Sequence, residues 1–273
     1  MPNRLLKNSK NRHCERSDAI QDSGSPRRPP AARDDVQAKG IRTTRKVVFQ
    51  QPAKIVTLDF DRPEKTQASL AAIRGVLQAG GVIAFPTDTF YGLGANPMSG
   101  RAVEKIFRIK RRPAGKPLLI LVASRKQAET VAAEIPDAAA ALMRAFWPGP
   151  LTLLLPARPG LPRSLTAGSG KIGVRLPASP FARQLIETLG HPLTAPSANI
   201  SGAENICGAA QVRRSLGSAL DLIVDGGPAP GGRASTVLDT TLSPPELLRA
   251  GPVTRQHIET ILGTSVAQSV PIH

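Results

Sequence analysis

The sequence predicts an α/β domain built on a mixed sheet, preceded by a disordered tail. Three observations carry this expectation. From Lys54 onward, strand-like and helix-like apolar patterns alternate. After about residue 222, strand patterns cluster. Residues 1–50 show no apolar periodicity before Val47. Alternation favours parallel strands joined by helical crossovers, and clustering favours antiparallel pairing, so a purely parallel sheet is not expected.

The elements follow in order. Lys54 to Leu58 is a strand candidate. Asp61 is placed to cap a helix with Pro63 in its first turn. Leu70, Ile73 and Leu77 fall on one face of that helix, and Gly80-Gly81 ends it. Val82 to Phe85 reads as a buried strand. Ser99 is placed to cap a helix carrying Val103, Ile106 and Phe107. Leu118 to Val122 is a strand. Helices are expected around Arg125 to Ala133 and Asp137 to Phe146. Leu151 to Leu155 and Ile172 to Leu176 are strands, and Phe181 to Leu189 is a helix. Leu222 to Val224, Thr236 to Leu238 and Leu247 to Arg249 are late strands, and Arg255 to Leu262 is a closing helix. The expected organisation is a tail over residues 1–50, one domain over 51–265 and a short C-terminal tail over 266–273.

The tail is rich in Arg, Ser, Asn, Asp and Pro, as in Ser25-Pro26-Arg27-Arg28-Pro29-Pro30. Such composition buries too little apolar surface to offset chain entropy. The stretch from Arg12 to Gln21 resembles peptides read from bacterial intergenic repeats, which points to a misplaced start codon. A basic arm for RNA is the rival reading.

Charge narrows the function classes. The formal net charge is +16. Residues 1–50 hold 12 Lys/Arg against 5 Asp/Glu, or +7, and the other 223 residues hold 24 against 15, or +9. A body that is basic without its tail suits an anionic ligand, a nucleotide or RNA. No apolar run approaches the roughly 18 residues of a membrane span, and no apolar stretch follows the basic start as in a secretory signal. Two distant cysteines, Cys14 and Cys207, suggest neither a disulfide frame nor a zinc site, so a cytoplasmic location is expected. There is no G-x-x-x-x-G-K-[ST], no G-x-G-x-x-G, no G-x-S-x-G and no H-E-x-x-H, and the four histidines form no cluster. Phosphate-loop, dinucleotide-fold and histidine-based chemistries therefore lack their usual residues.

Six segments remain. Pro86-Thr87-Asp88-Thr89-Phe90-Tyr91-Gly92-Leu93-Gly94 sets hydroxyls and a carboxylate after a buried strand, suited either to a small ligand or to a turn capped by Asp88. Lys110-Arg111-Arg112-Pro113-Ala114-Gly115-Lys116-Pro117 packs four cations into seven residues with no acid among them. Arginine offers a fixed fork for phosphate oxygens and lysine a point charge, although a solvated charge run has the same composition. Arg175 stands inside an apolar strand that opens with Lys171. A lone cation there is costly unless it meets an anion, from a partner Asp or from a ligand carboxylate. Ala195-Pro196-Ser197-Ala198-Asn199-Ile200-Ser201-Gly202 offers small residues and hydrogen-bonding side chains. Gly232 to Asp239 places Ser235 beside a strand, and Arg249 ends another.

Taken in order, these segments resemble the YrdC/Sua5 family of threonylcarbamoyl-AMP synthases, from about Leu70 to Leu262. The motifs are PTDTFYGLG, KRRPAGKPL, FWPGPLTLLL, VRLP, APSANISG, STVLD and LLRAGPV. The resemblance implies a YrdC-like twisted mixed sheet flanked by helices, in a single-domain form. It implies synthesis of threonylcarbamoyl-AMP and pyrophosphate from L-threonine, bicarbonate or CO2 and ATP, toward the t6A37 modification of tRNA. It implies threonine contacts by Thr89, Leu121, Arg175, Ala195 and Ser235, with Leu121 standing where many longer members carry His. It implies ATP contacts by Arg112, Lys116, Lys171, Ser197, Asn205 and Arg249, and catalytic roles for Lys110, Arg112 and Arg175. Magnesium is expected to travel with ATP, with no organic cofactor and no protein metal site. Downstream threonylcarbamoyl transferase proteins and a tRNA contact are the expected partners. The alternative is a non-catalytic RNA-binding paralogue of the YrdC/YciO type. Only 3% of residues are aromatic, few for stacking bases.

Overall fold

The computed structural model describes residues 53–268, and the tail assigned to residues 1–50 lies outside them. In chain order the elements are β1 Lys54–Thr57, α1 Pro63–Gln78, β2 Ile83–Pro86, β3 Tyr91–Gly94, α2 Gly100–Lys110, β4 Leu119–Leu121, α3 Arg125–Ala128, α4 Asp137–Phe146, β5 Leu151–Pro156 and α5 Arg163–Thr166. They continue as β6 Lys171–Arg175, α6 Pro180–Leu189, β7 Leu193–Thr194, α7 Ala209–Leu216, β8 Leu222–Asp225, β9 Thr236–Asp239, β10 Glu246–Arg249, α8 Arg255–Leu262 and β11 Ala267–Gln268.

The strands form two mixed sheets. One runs β1-β8-β2-β3 and the other β11-β10-β9-β5-β6-β4-β7. Parallel pairs (β1 with β8, β5 with β9, β4 with β6) stand beside antiparallel ones (β2 with β3, β5 with β6, β9 with β10). Early alternation and late clustering in the sequence correspond to this mixture. The sheets meet where the segment after β7 lies along β3. Thr194 N donates to Ala95 O at 3.0 Å, Leu93 N to Pro196 O at 2.8 Å and Ala198 N to Tyr91 O at 2.7 Å. Gly92 lies in this contact; a Cβ there would sit 3.4 Å from Ala195 Cβ, at van der Waals distance.

The period-2 alternation of strands decides which side chains reach the core. Ile172 and Val174 of β6, Leu151, Leu153 and Leu155 of β5, and Leu238 of β9 pack with Val103 and Ile106 of α2, Leu142 of α4 and Ile258 of α8. Each such side chain contributes about 1.5–3 kcal/mol of burial. A second cluster joins Ile73 and Leu77 of α1 to Phe85, Leu121, Leu185, Ala195 and Val224. On the opposite face of the larger sheet stand Thr152, Gly173, Arg175, Val237 and Asp239, and this face carries the polar chemistry.

Several expectations need correction. Arg62, not Asp61, is the N-cap residue of α1, and no side chain caps it. Asp61 N instead donates to Asp59 Oδ1 at 3.0 Å, and Thr66 Oγ1 donates to Asp59 O. The helix expected from Arg125 to Ala133 stops at Ala128, because the chain turns to pair Ala132 with Ala157. Tyr91 to Gly94, not assigned as a strand from the sequence, is strand β3. Short β7 and α5, and α7, gave too weak a period to find. β11 lies within the stretch assigned to the C-terminal tail; Ala267 and Gln268 pair in parallel with Glu246 and Leu247 of β10.

One glycine ties this scaffold to the polar face. A Cβ on Gly251 would lie 2.3 Å from Thr236 N and 2.6 Å from Ala234 O, both backbone atoms that cannot swing aside. Gly251→Ala is therefore expected to destabilise the domain by about 1–3 kcal/mol, measured as a fall in the urea or thermal midpoint. An unchanged midpoint would refute this packing.

Candidate functional site

The site is built where the end of α2, the segment after β7 and the Arg175 end of the larger sheet converge. Ser99 caps the start of α2, its side chain accepting from Ala102 N at 3.3 Å. At the other end Arg111 takes a left-handed conformation, φ 48°, uncommon for a residue with a side chain. This turn ends the helix and lets Arg112 N donate back to Phe107 O at 2.9 Å.

Lys110 points inward and is 2% exposed. Its Nζ donates to Ser197 O at 2.5 Å, Asn199 O at 2.7 Å and Asn199 Oδ1 at 3.0 Å. Ser197 Oγ donates to the same Oδ1 at 2.6 Å, and Asn199 Nδ2 to Ala203 O at 2.5 Å. An ammonium has three donors, and all three are engaged. Burial, with Arg112 adding repulsion, pushes Lys110 down to about 8. In this arrangement Lys110, expected as a catalytic residue, clamps the Ser197–Asn199 loop.

Arg112, half-buried, crosses its own loop. Its Nε donates to Lys116 O at 3.0 Å and its Nη2 to Pro117 O at 2.9 Å. Burial lowers its pKa, and Arg249 lowers it further. Arg249 is itself held by Ser235: Nε donates to Ser235 O at 2.9 Å and Nη2 to Ser235 Oγ at 3.1 Å. Ser235 Oγ also meets Thr152 Oγ1 at 2.9 Å.

Arg175, at the end of β6, is 2% exposed. Its Nη2 donates to Asp88 Oδ1 at 2.7 Å. Its Nε is buried with no hydrogen-bond partner. Burial lowers its pKa; Asp88 opposes that and Arg249 adds to it. Lys110, Arg112, Arg175 and Arg249 are therefore linked by mutual repulsion in the chain Lys110–Arg112–Arg249–Arg175. Among the described residues the one carboxylate paired with any of the four is Asp88. Such an array is short of negative charge, and a ligand with phosphate and carboxylate groups would supply it.

The other expected residues divide. Thr89 lies in the turn before β3, its Oγ1 3.2 Å from Thr87 Oγ1. Ala195 is buried and donates through its backbone N to Leu119 O at 2.8 Å. Lys116 and Asn205 are exposed in loops, Lys116 O accepting from Arg112 Nε. Lys171 shares the face of Arg175 but starts β6, about 13 Å along the strand. There it pairs with Asp239 at 2.6 Å. Burial raises that carboxyl, but hydrogen bonds from the Lys171 and Thr241 side chains and the Thr241 backbone outweigh it and leave the pKa lowered. Leu121, expected beside threonine, is 0% exposed and packed in the second apolar cluster. Sequence reasoning left Asp88 as a possible turn cap and missed Thr152; a lone hydroxyl within Leu151 to Leu155 was its one signal.

Two clefts lie apart from the array. One, of about 480 Å³, is lined by Asp59, Phe60, Phe181 and Asp225, and the other, of about 590 Å³, by Asp137, Thr241, Leu242 and Ile261. Neither contains any of the four cations, and the charge imbalance rather than the enclosed volume marks the site. Among the described residues no helix is long and apolar enough to cross a membrane.

Comparison with known proteins identifies the family. The profile of the Sua5/YciO/YrdC family, described as telomere recombination, matches residues 75–251. The threonylcarbamoyl-AMP synthase of Pyrococcus abyssi is 44% identical over 203 residues, covering 74% of this chain and 59% of its own. The threonylcarbamoyl-AMP synthase of Bacillus subtilis is 40% identical over 214 residues, covering 78% of this chain and 60% of its own. The chain thus spans about three fifths of the length of these curated relatives. The crystal structure of P. abyssi Sua5 complexed with L-threonine superposes with a TM-score of 0.72 at 41% identity, covering 79% of this chain and 62% of the other. Ordered motifs, the mixed-sheet fold and the family profile over most of the described residues agree: the chain belongs to the Sua5/YciO/YrdC family.

Proposed function

We propose that this chain is an L-threonylcarbamoyladenylate synthase, joining L-threonine, bicarbonate or CO2 and ATP into threonylcarbamoyl-AMP and pyrophosphate. The observation that carries the reading is the four-cation array whose one paired carboxylate among the described residues is Asp88. Two similar proteins, from P. abyssi and B. subtilis, bear the synthase name, and P. abyssi Sua5 was crystallised with L-threonine. In the cytoplasm the product would pass to threonylcarbamoyl transferase proteins for t6A37 formation on tRNA.

The chemistry suits these residue types. The threonine amine attacks CO2, forming a C–N bond and releasing a proton, to give a carbamate. A carbamate oxygen then attacks the α-phosphorus of ATP, and the bond to the β-phosphate oxygen breaks, releasing pyrophosphate. Neither step needs a protein nucleophile; both need positioning and neutralised charge. Arg175 would receive the threonine carboxylate, with Thr89, Ser235 and the Ala195 backbone around it. Arg112, Arg249, Lys116, Ser197 and Asn205 would meet ATP, while Lys171 stands further along the same face. Magnesium would arrive on the ATP phosphates; among the described residues no group of three or more His, Cys, Asp or Glu could hold a metal ion.

The deciding measurement is pyrophosphate release by the purified protein. Release that requires threonine and bicarbonate together is expected; no release, with tight RNA binding instead, would overturn the assignment. Arg112→Ala removes a phosphate partner and is expected to raise the KM for ATP about 10–100-fold while the domain stays folded, as read from a cooperative melting transition. Lys110→Met leaves Asn199 O without a donor among the described residues, while Ser197 O keeps Asn199 N and Asn199 Oδ1 keeps Ser197 Oγ. It is expected to lower stability by about 1–3 kcal/mol and to cut turnover, and a variant with unchanged stability and activity would contradict the clamp.

A further inference from the structure

We propose that Asp88 is a positioning residue for substrate recognition: it fixes the Arg175 guanidinium so that its unused edge receives the carboxylate of the amino-acid substrate. This rests on the synthase reading of the site.

The pair is built unlike a purely structural one. A guanidinium carries five N–H donors and matches a carboxylate best through two parallel hydrogen bonds. Arg175 makes one, from Nη2 to Asp88 Oδ1 at 2.7 Å. Its Nε is sealed from water without a partner. Buried donors left unmade are costly, so an arginine kept this way at the end of a strand points to a second anion. Asp88 compensates the charge enough for Arg175 to stay folded inward, while leaving the rest of the fork unengaged among the described residues.

The carboxylate is delivered by a braced turn. Thr87 N and Thr87 Oγ1 both donate to Phe90 O, at 3.2 and 2.7 Å, and Thr89 N donates to Thr87 Oγ1 at 3.2 Å. Gly231 N donates to Thr89 O at 2.7 Å. Asp88 therefore couples two parts of the threonine subsite, the Thr89 turn and the end of β6. Its side chain is 11% exposed and that of Arg175 is 3% exposed. The bond is shielded from salt, and the guanidinium has little freedom to swing once held.

The test uses the full chain and two variants, Asp88→Ala and Asp88→Asn, with direct threonine binding by calorimetry beside steady-state kinetics. Asp88→Ala is expected to weaken threonine binding and raise its KM about 10–100-fold, with the KM for ATP changed less than about threefold. Asp88→Asn keeps an oxygen acceptor at the same place and is expected to recover part of the loss. Folding of each variant is read from its melting transition. If Asp88→Ala does not fold, Asp88→Asn alone decides, since a folded Asn variant with weakened threonine binding and intact ATP binding supports the role. Threonine binding unchanged or tightened in a folded variant, or an equal loss for threonine and ATP, would overturn it. Wild-type protein that binds no threonine would instead sink the synthase reading, and this inference with it.

Discussion

A guanidinium cannot stand at the end of a buried strand without an anion, and much of this site follows from how Arg175 meets that demand. β6 must be apolar on one side to cover α2 and α4, which places Ile172 and Val174 in the core. The same alternation forces Lys171, Gly173 and Arg175 to the other side. At one end of that face Lys171 finds Asp239, and at the other Arg175 finds Asp88. The turn bearing Asp88 must approach β6, and β3 and the segment after β7 come with it. The Ser197–Asn199 loop then sits where only a buried donor can satisfy its oxygens, and Lys110 fills that role.

Lys110, Arg112 and Arg249 are all cations, yet the fold treats each differently. Lys110 is wholly engaged by protein acceptors. Arg112 is fastened to its own loop by two carbonyls. Arg249 leans on Ser235 while staying exposed. The gradient from clamped to open runs from framework to ligand-facing surface. It separates residues that shape the cleft from those able to meet a polyphosphate.

The sequence made much of this legible. Long, strongly periodic segments such as β5, β6, α4 and α8 stand close to where their apolar patterns put them, because burial of one face fixes them. Short elements were harder to see: β7 has two residues and α5 four, too few to show a period. β3 was hidden by Gly92 and Gly94, which a strand tolerates here because neighbouring side chains fill the space beside them. At the site, residue types located the cations, but not their partners. Whether Lys110 faced a ligand or a carbonyl, and whether Leu121 lined the cleft or the core, depends on contacts between segments some 90 positions apart or on the packing of a whole face, which local pattern does not encode.

The direction of β11 has a practical meaning. Ala267 and Gln268 run alongside Glu246 and Leu247, in the same sense as β10, whose last residue is Arg249. This pairing covers the outer side of β10, so the strand that carries Arg249 is flanked on both sides at Glu246 and Leu247. Cutting the chain before Ala267 would uncover backbone donors and acceptors along that edge, a surface on which a second strand pairs readily.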